Sequence, residues 1–175
     1  MQKKQNIVLV GFMGTGKTTV GHFLAEATGM PLVDMDTLIE QRTQKTIPEI
    51  FAKEGEASFR NLERELTKEL AQKTGQVVST GGGLVLNPDN IRDFEKTSLV
   101  ICLLASEETL MSRLKGDSSR PLLAGEKEEK IKQLLQTRRP LYEAISHKID
   151  TNKRSPEEIA RQILALYETN LENGA

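Results

Sequence analysis

One cysteine in the whole chain, Cys102, excludes an internal disulfide. It stands in the apolar run Leu99–Leu104, where a small buried core residue is the expected role. No apolar stretch approaches the ~20 residues that a bilayer-spanning helix needs. Met1–Asn6 is polar and leads straight into a strand, without the apolar segment of a signal peptide, so a cytoplasmic protein is expected. The formal net charge of -1 offers no basic field for nucleic acid. There is neither an internal repeat nor a linker long enough to divide the chain. Its 175 residues are therefore read as a single domain, 1–175, large enough to bury a core.

Strands and helices alternate along the chain. Ile7–Val10 reads as a buried strand and Thr18–Thr28 as a helix closed by Gly29. A second strand is expected over Pro31–Met35, then helices over Thr37–Arg42, Pro48–Lys53 and Ser58–Lys73, the last two parted at Gly55. Val77–Thr80 and Leu99–Leu104 read as further strands, with a helix starting near Pro88 between them. Ser106 caps a helix to about Leu114, with Glu107 and Glu108 favouring its first turn. The polar segment Lys115–Lys127 reads as a mobile lid. Helices at Glu128–Arg138 and Leu141–Ser146, a strand at His147–Asp150 and a helix from Pro156 complete the order. Such alternation implies right-handed crossovers: a three-layer α/β fold, its five-stranded parallel sheet covered by helices on both faces. Ligands of such sheets bind at the carboxyl ends of the strands, where the Gly-rich and acidic segments fall.

Gly11–Thr18 fits G-x-x-x-x-G-K-[ST] in full, with a strand before it and a helix after it. Backbone N–H groups of Gly14, Thr15, Gly16 and the following residues can curl around phosphate oxygens at a helix N-terminus. Lys17 can reach the β- and γ-phosphates, and the Thr18 hydroxyl can ligate Mg²⁺. Two absences narrow the class. The only Asn-Lys pair, Asn152-Lys153, lacks the aspartate of a guanine-binding N-K-x-D signature. The third strand ends in Thr80 and three glycines instead of a Mg²⁺-binding acid, unlike a motor or transporter ATPase. That favours a small ATP-dependent kinase.

Asp34-Met35-Asp36 ends the second strand, and strand alternation places both carboxylates on one face. One can bind Mg²⁺ through water while the other accepts substrate hydroxyls or acts as base; the competing reading is a solvated pair at a helix start. Arg60 and Glu63 are spaced i, i+3, so a paired guanidinium fork can face a substrate carboxylate, or the two form an ordinary surface pair. Gly81–Gly83 permits a ligand to approach backbone N–H groups, or is a plain turn. Arg120, in the lid segment, can stabilise charge on a transferring phosphoryl group, or is merely solvated. Arg138 and Arg139, before Pro140 at a helix end, can serve the helix dipole or an anion.

Together these segments resemble the shikimate kinases over Asn6 to about Leu166. The elements are G-x-x-G-x-G-K-T at Gly11–Thr18, D-x-D at Asp34–Asp36, and G-E-x-x-F-R-x-x-E at Gly55–Glu63. Gly81–Gly83, R-P-L-L at Arg120–Leu123 and R-x-P-L-Y at Arg138–Tyr142 follow in order. The resemblance implies transfer of the ATP γ-phosphoryl group to the 3-hydroxyl of shikimate, toward chorismate and the aromatic amino acids. By position it implies Asp36 at the shikimate hydroxyls as base, Arg60 and Arg138 at the carboxylate, and Gly81, Gly82 and Gly83 at the ring. It implies Thr18 and Asp34 at Mg²⁺, and Gly14 through Thr19 at the phosphates. It further implies that Lys17 and Arg120 supply charge to the transferring group and that Arg113, Arg154 and Pro156 flank the adenine. A gluconate or nucleoside monophosphate kinase shares the loop and sheet, and a nucleotide-sensing module shares the loop. None of these calls for the paired Arg60 or the R-x-P-L-Y element. The expected partner is a small molecule, with no nucleic acid or membrane, and the expected state is a monomer.

Overall fold

The computed structural model describes residues 5–115 and 127–173. Its sheet has five parallel strands in the order β2-β3-β1-β4-β5: β1 (Asn6–Gly11), β2 (Leu32–Asp34), β3 (Val77–Ser79), β4 (Ser98–Leu104) and β5 (His147–Asp150). Seven helices are described: α1 (Lys17–Thr28), α2 (Met35–Thr43), α3 (Ile47–Ala71), α4 (Pro88–Glu95), α5 (Glu107–Leu114), α6 (Lys127–Glu143) and α7 (Pro156–Asn173).

β1 is buried throughout because it is central and covered on both faces. Its side chains alternate: Val8 and Val10 join a cluster with Leu66, Phe94, Leu110 and Leu135, whereas Ile7 and Leu9 join Val20, Leu24, Ile159 and Ile163. Thus α1 and α7 cover one face, and α3 to α6 with their neighbours cover the other. The three-layer parallel sheet expected from the sequence is what forms. Asn6 opens β1 in the core without an unmet polar group. Its Nδ2 donates to Lys73 O at 2.8 Å, and its Oδ1 accepts from Gln76 N at 3.0 Å. Cys102 is buried in β4, and loss of solvent pushes its thiol up to about 12.

Of the boundaries that differ from the sequence reading, three have a readable cause. β2 ends at Asp34, and Asp36 lies in the first turn of α2; Asp34 caps that helix by accepting the Thr37 N–H at 3.0 Å. The local cap outweighs continuation of the strand. Secondly, α3 starts at Ile47, one residue earlier than expected, because Thr46 and Glu49 form a reciprocal capping box. The break at Gly55 stands, with φ 84° and ψ 166° inside the helical run. Thirdly, α6 runs unbroken through Pro140, so Arg138 and Arg139 lie within a helix and not at its end. Proline removes one N–H donor to the preceding turn, and its solvent-exposed position lets the carbonyl it leaves be hydrated.

β1 is the switch point of the sheet: the chain moves outward to β2, returns through β3, then crosses to β4 and β5 on the other side. A crevice opens there above the strand ends.

Candidate active site

The crevice holds a cavity of about 550 Å³ with the phosphate loop on one wall and α2, α3 and the glycine turn on the other. Gly16 caps α1 at φ 93° and Gly14 turns at φ 82°, conformations open to glycine and costly for residues with a Cβ. The loop is held from within. The Thr15 hydroxyl donates to Phe12 O at 2.8 Å, and Lys17 Nζ donates to Gly11 O at 2.8 Å and Phe12 O at 3.0 Å. Lys17 is mostly buried, so its charge is concentrated at the loop mouth. Gly14, Gly16, Lys17, Thr18 and Thr19 all line the cavity, while Thr15 is buried beneath them.

Beside the loop, the Thr18 hydroxyl donates to Asp34 Oδ2 at 2.8 Å and lies 3.1 Å from Ser79 Oγ. Asp34 Oδ1 is occupied by the α2 cap, which directs Oδ2 toward Thr18. The set is all hard oxygen, as Mg²⁺ requires. Among the described residues no group of three His, Cys, Asp or Glu side chains could hold a metal by itself. That fits an ion held by one or two protein oxygens together with nucleotide phosphates and water. Ser79 was absent from the sequence reading. Its signal was a hydroxyl ending an otherwise apolar strand, one pitch from the glycines.

Across the cavity Asp36, Arg60, Glu63 and the triple glycine converge. Arg60 Nη1 donates to Glu63 at 2.6 Å, and Nη2 donates to Glu56 at 3.1 Å. Its guanidinium carbon lies 5.2 Å from the Phe59 ring centroid. Burial works against the Arg60 charge, but Glu63 and Glu56 outweigh it and raise its pKa above the ordinary value. Glu63 is 1% exposed, and burial holds its pKa above the usual carboxylate value, opposed by Arg60 and Arg138 and reinforced by Asp36. One of its oxygens, Oε1, is buried without a hydrogen-bond partner. The Arg60–Glu63 pair is therefore part of the cavity wall and not a surface ornament.

The glycine turn explains how these groups fit. A Cβ at Gly81 would fall 2.7 Å from Glu63 Oε1 and 3.0 Å from Asp36 Oδ1. A Cβ at Gly83 would fall 2.5 Å from Arg60 Cζ, and Gly82 packs on the phosphate loop with Met13 N at 3.1 Å from the same construction. Each glycine thus leaves space to a different functional wall. Asp34 and Asp36 both line the cavity as expected, though a helix cap and first turn bring them there, not strand alternation.

Arg138 is 2% exposed and is not among the residues that line the cavity, though its charge acts on Glu63 and Tyr142; Arg139 is exposed. Arg113 lines the cavity. Its Nη1 donates to Gly14 O at 3.1 Å and its Nη2 to Thr151 O at 3.3 Å, joining the phosphate loop to the turn after β5. Arg154 and Pro156 lie outside the lining: Arg154 donates to Gln162 Oε1 at 2.7 Å, and Pro156 begins α7. Arg120 and residues 116–126 of the lid segment lie outside the described residues.

This geometry has close counterparts. The family model described as shikimate kinase matches residues 13–168. The shikimate kinase of Thermodesulfovibrio yellowstonii is 48% identical over 171 residues, covering 97% of this chain and 98% of that protein. The structure of the shikimate kinase from Acinetobacter baumannii in complex with shikimate superposes with a TM-score of 0.90 at 40% identity, covering 95% of this chain and 94% of that one. A gluconokinase from Sinorhizobium meliloti, at 19% identity and a TM-score of 0.61 over 98% of this chain and 97% of that one, shares the fold alone. With a phosphate loop facing a glycine turn that is walled by Asp36 and Arg60, the chain belongs to the shikimate kinase family.

Proposed function

We propose that this chain transfers the γ-phosphoryl group of ATP to the 3-hydroxyl of shikimate, giving shikimate 3-phosphate and ADP in aromatic amino-acid biosynthesis. The observation that carries the reading is the meeting of Asp36, Arg60 and the triple glycine in one cavity with the phosphate loop.

Arg60 and Arg138 hold the acid's carboxylate, and Gly81, Gly82 and Gly83 leave the ring room against backbone N–H groups. Arg60 is pre-aimed by Glu63 and Glu56, so little side-chain freedom is lost on binding. Asp36 accepts the proton of the 3-hydroxyl as its oxygen bonds to the γ-phosphorus and the bond to the β-phosphate oxygen breaks. Such transfers depend on alignment and charge neutralisation more than on covalent help. Lys17 moves its hydrogen bonds from the loop carbonyls to phosphate oxygens and offsets the charge that develops there. Gly14 through Thr19 cradle the phosphates. Arg113 flanks the nucleotide, with Arg154 and Pro156 at its far edge, and Arg120 closes over the phosphates.

Thr18 and Asp34 would hold Mg²⁺, which when bound neutralises phosphate charge. The chain acts as a monomeric single domain, 1–175, in the cytoplasm, with a small-molecule partner and neither nucleic acid nor membrane. Its near-neutral formal charge offers no basic field for nucleic acid, and among the described residues no helix is long and apolar enough to cross a membrane.

A coupled ADP-release assay with shikimate, gluconate and AMP as acceptors tests the activity. Turnover with shikimate alone is expected; ADP release independent of shikimate, or none with any acceptor, overturns the reading. Asp36→Asn is expected to lower turnover by about 10²–10⁴-fold while leaving ATP binding nearly intact. Near-normal turnover in that variant removes Asp36 from the role of base.

A further inference from the structure

Tyr142 carries a hydroxyl where packing asks for none. The side chain is 1% exposed in an apolar cluster with Phe12, Leu84, Cys102 and Ile145, a setting that a phenylalanine would fill equally well. A buried hydroxyl costs free energy unless it is hydrogen-bonded. Here it donates to the Gly82 carbonyl, 60 residues away in the chain. Burial raises the phenol's pKa, so it remains a neutral donor, and the nearby Arg138 charge only partly opposes that rise.

Arg138 and Tyr142 are i, i+4 on α6 and share one face. The ring meets Phe12 of the phosphate loop edge-on, with centroids 6.3 Å apart and planes at 86°. Gly82 in turn lies against the loop backbone at Met13. One phenol therefore touches α6, the glycine turn and the phosphate loop.

We propose that Tyr142 is a positioning residue for the acceptor, its hydroxyl tying the Gly82 carbonyl to the face of α6 that carries Arg138, in the register that receives the acid's carboxylate and ring. The inference rests on the reading of Arg138 as a carboxylate ligand given above. Without the hydroxyl, the glycine turn loses its tie to α6 and so to the Arg138 that α6 carries.

Tyr142→Phe keeps the ring and its contact with Phe12, so steady-state kinetics isolate the hydroxyl. The expected result is a rise of about tenfold in KM for shikimate, the upper size associated with one buried hydrogen bond, with KM for ATP within about twofold. Shikimate methyl ester is the second substrate. The wild-type preference in kcat/KM for the acid over the ester is expected to shrink about tenfold in the variant, because only the acid depends on Arg138.

Unchanged KM and unchanged preference overturn the proposal. So does an equal decline for acid, ester and ATP with a lowered Tm, which is the pattern of a purely structural role. Wild-type enzyme inactive on shikimate overturns the function reading, and this inference with it. Active wild type with an unaltered variant overturns only the role of Tyr142.

Discussion

Gly83 has no side chain because the Arg60 guanidinium stands where one would go. A methyl there would meet Arg60 Cζ at 2.5 Å, but the obstacle is the far end of a flexible side chain and can swing away. Gly83→Ala is therefore expected to fold with a Tm change of no more than about 3 °C while raising KM for shikimate roughly tenfold. Thermal melts with parallel kinetics check it; a large loss of stability with normal KM would mean that the turn, not Arg60, needs the glycine. Arg60→Ala makes the complementary case. It is expected to raise KM for the acid far more than KM for ATP, and equal effects on both would indicate a structural role. The sequence made Arg60 and Glu63 neighbours through their spacing. It did not reveal that Glu63 is nearly inaccessible, because burial depends on what α2 and the glycine turn lay over it.

At the scale of elements, α2 and α3 are clasped by charge as well as by apolar contact. Arg42 reaches Glu69 with both Nη atoms, at 2.6 and 2.9 Å, and Lys73 reaches the same carboxylate at 2.7 Å. Hydrogen bonds from Arg42 and then Lys73 hold the Glu69 carboxyl down to about 2, against an ordinary 4.5. A depressed folded-state pKa contributes stability that is present above the unfolded value and lost as pH falls through the folded one. Glu69→Gln is therefore expected to flatten the pH dependence of unfolding free energy between about pH 4.5 and 2, with little change in slope at neutral pH. The pair is well exposed, so solvent screening keeps the effect small; denaturant titrations across that range measure it.

Element boundaries were readable where a local device sets them: Gly29 closing α1, Ser106 capping α5, Gly55 breaking α3. They were misread where tertiary context decides. Pro140 alone argues for a helix end, yet burial of Ile131, Leu135 and Tyr142 in the apolar cluster, on both sides of it, carries α6 through.

For the whole molecule, ligand linkage is the natural test of how the two walls of the crevice belong together. A ligand that binds only the folded state stabilises it by RT ln(1 + [L]/Kd), about 2.7 kcal/mol at a hundredfold excess over Kd. A non-hydrolysable ATP analogue is expected to raise Tm by several degrees, more with Mg²⁺ than with a chelator present. Asp34→Asn is expected to shrink the Mg²⁺-dependent part while sparing the rest. Equal shifts in wild type and variant would remove Asp34 from the metal's surroundings.

The sequence by itself determined the three-layer α/β class, the phosphate loop and the identity of the residues around it. Those follow from strand and helix periodicity, from glycine and proline positions, and from a motif whose parts are contiguous. Tertiary structure alone decided that Ser79 stands by Thr18, that Gly83 makes room for Arg60, and that Tyr142 reaches Gly82. Such pairs lie 23 to 61 residues apart in the chain. Only the order of strands in the sheet brings them within a hydrogen bond or a van der Waals radius, and no local pattern encodes that order.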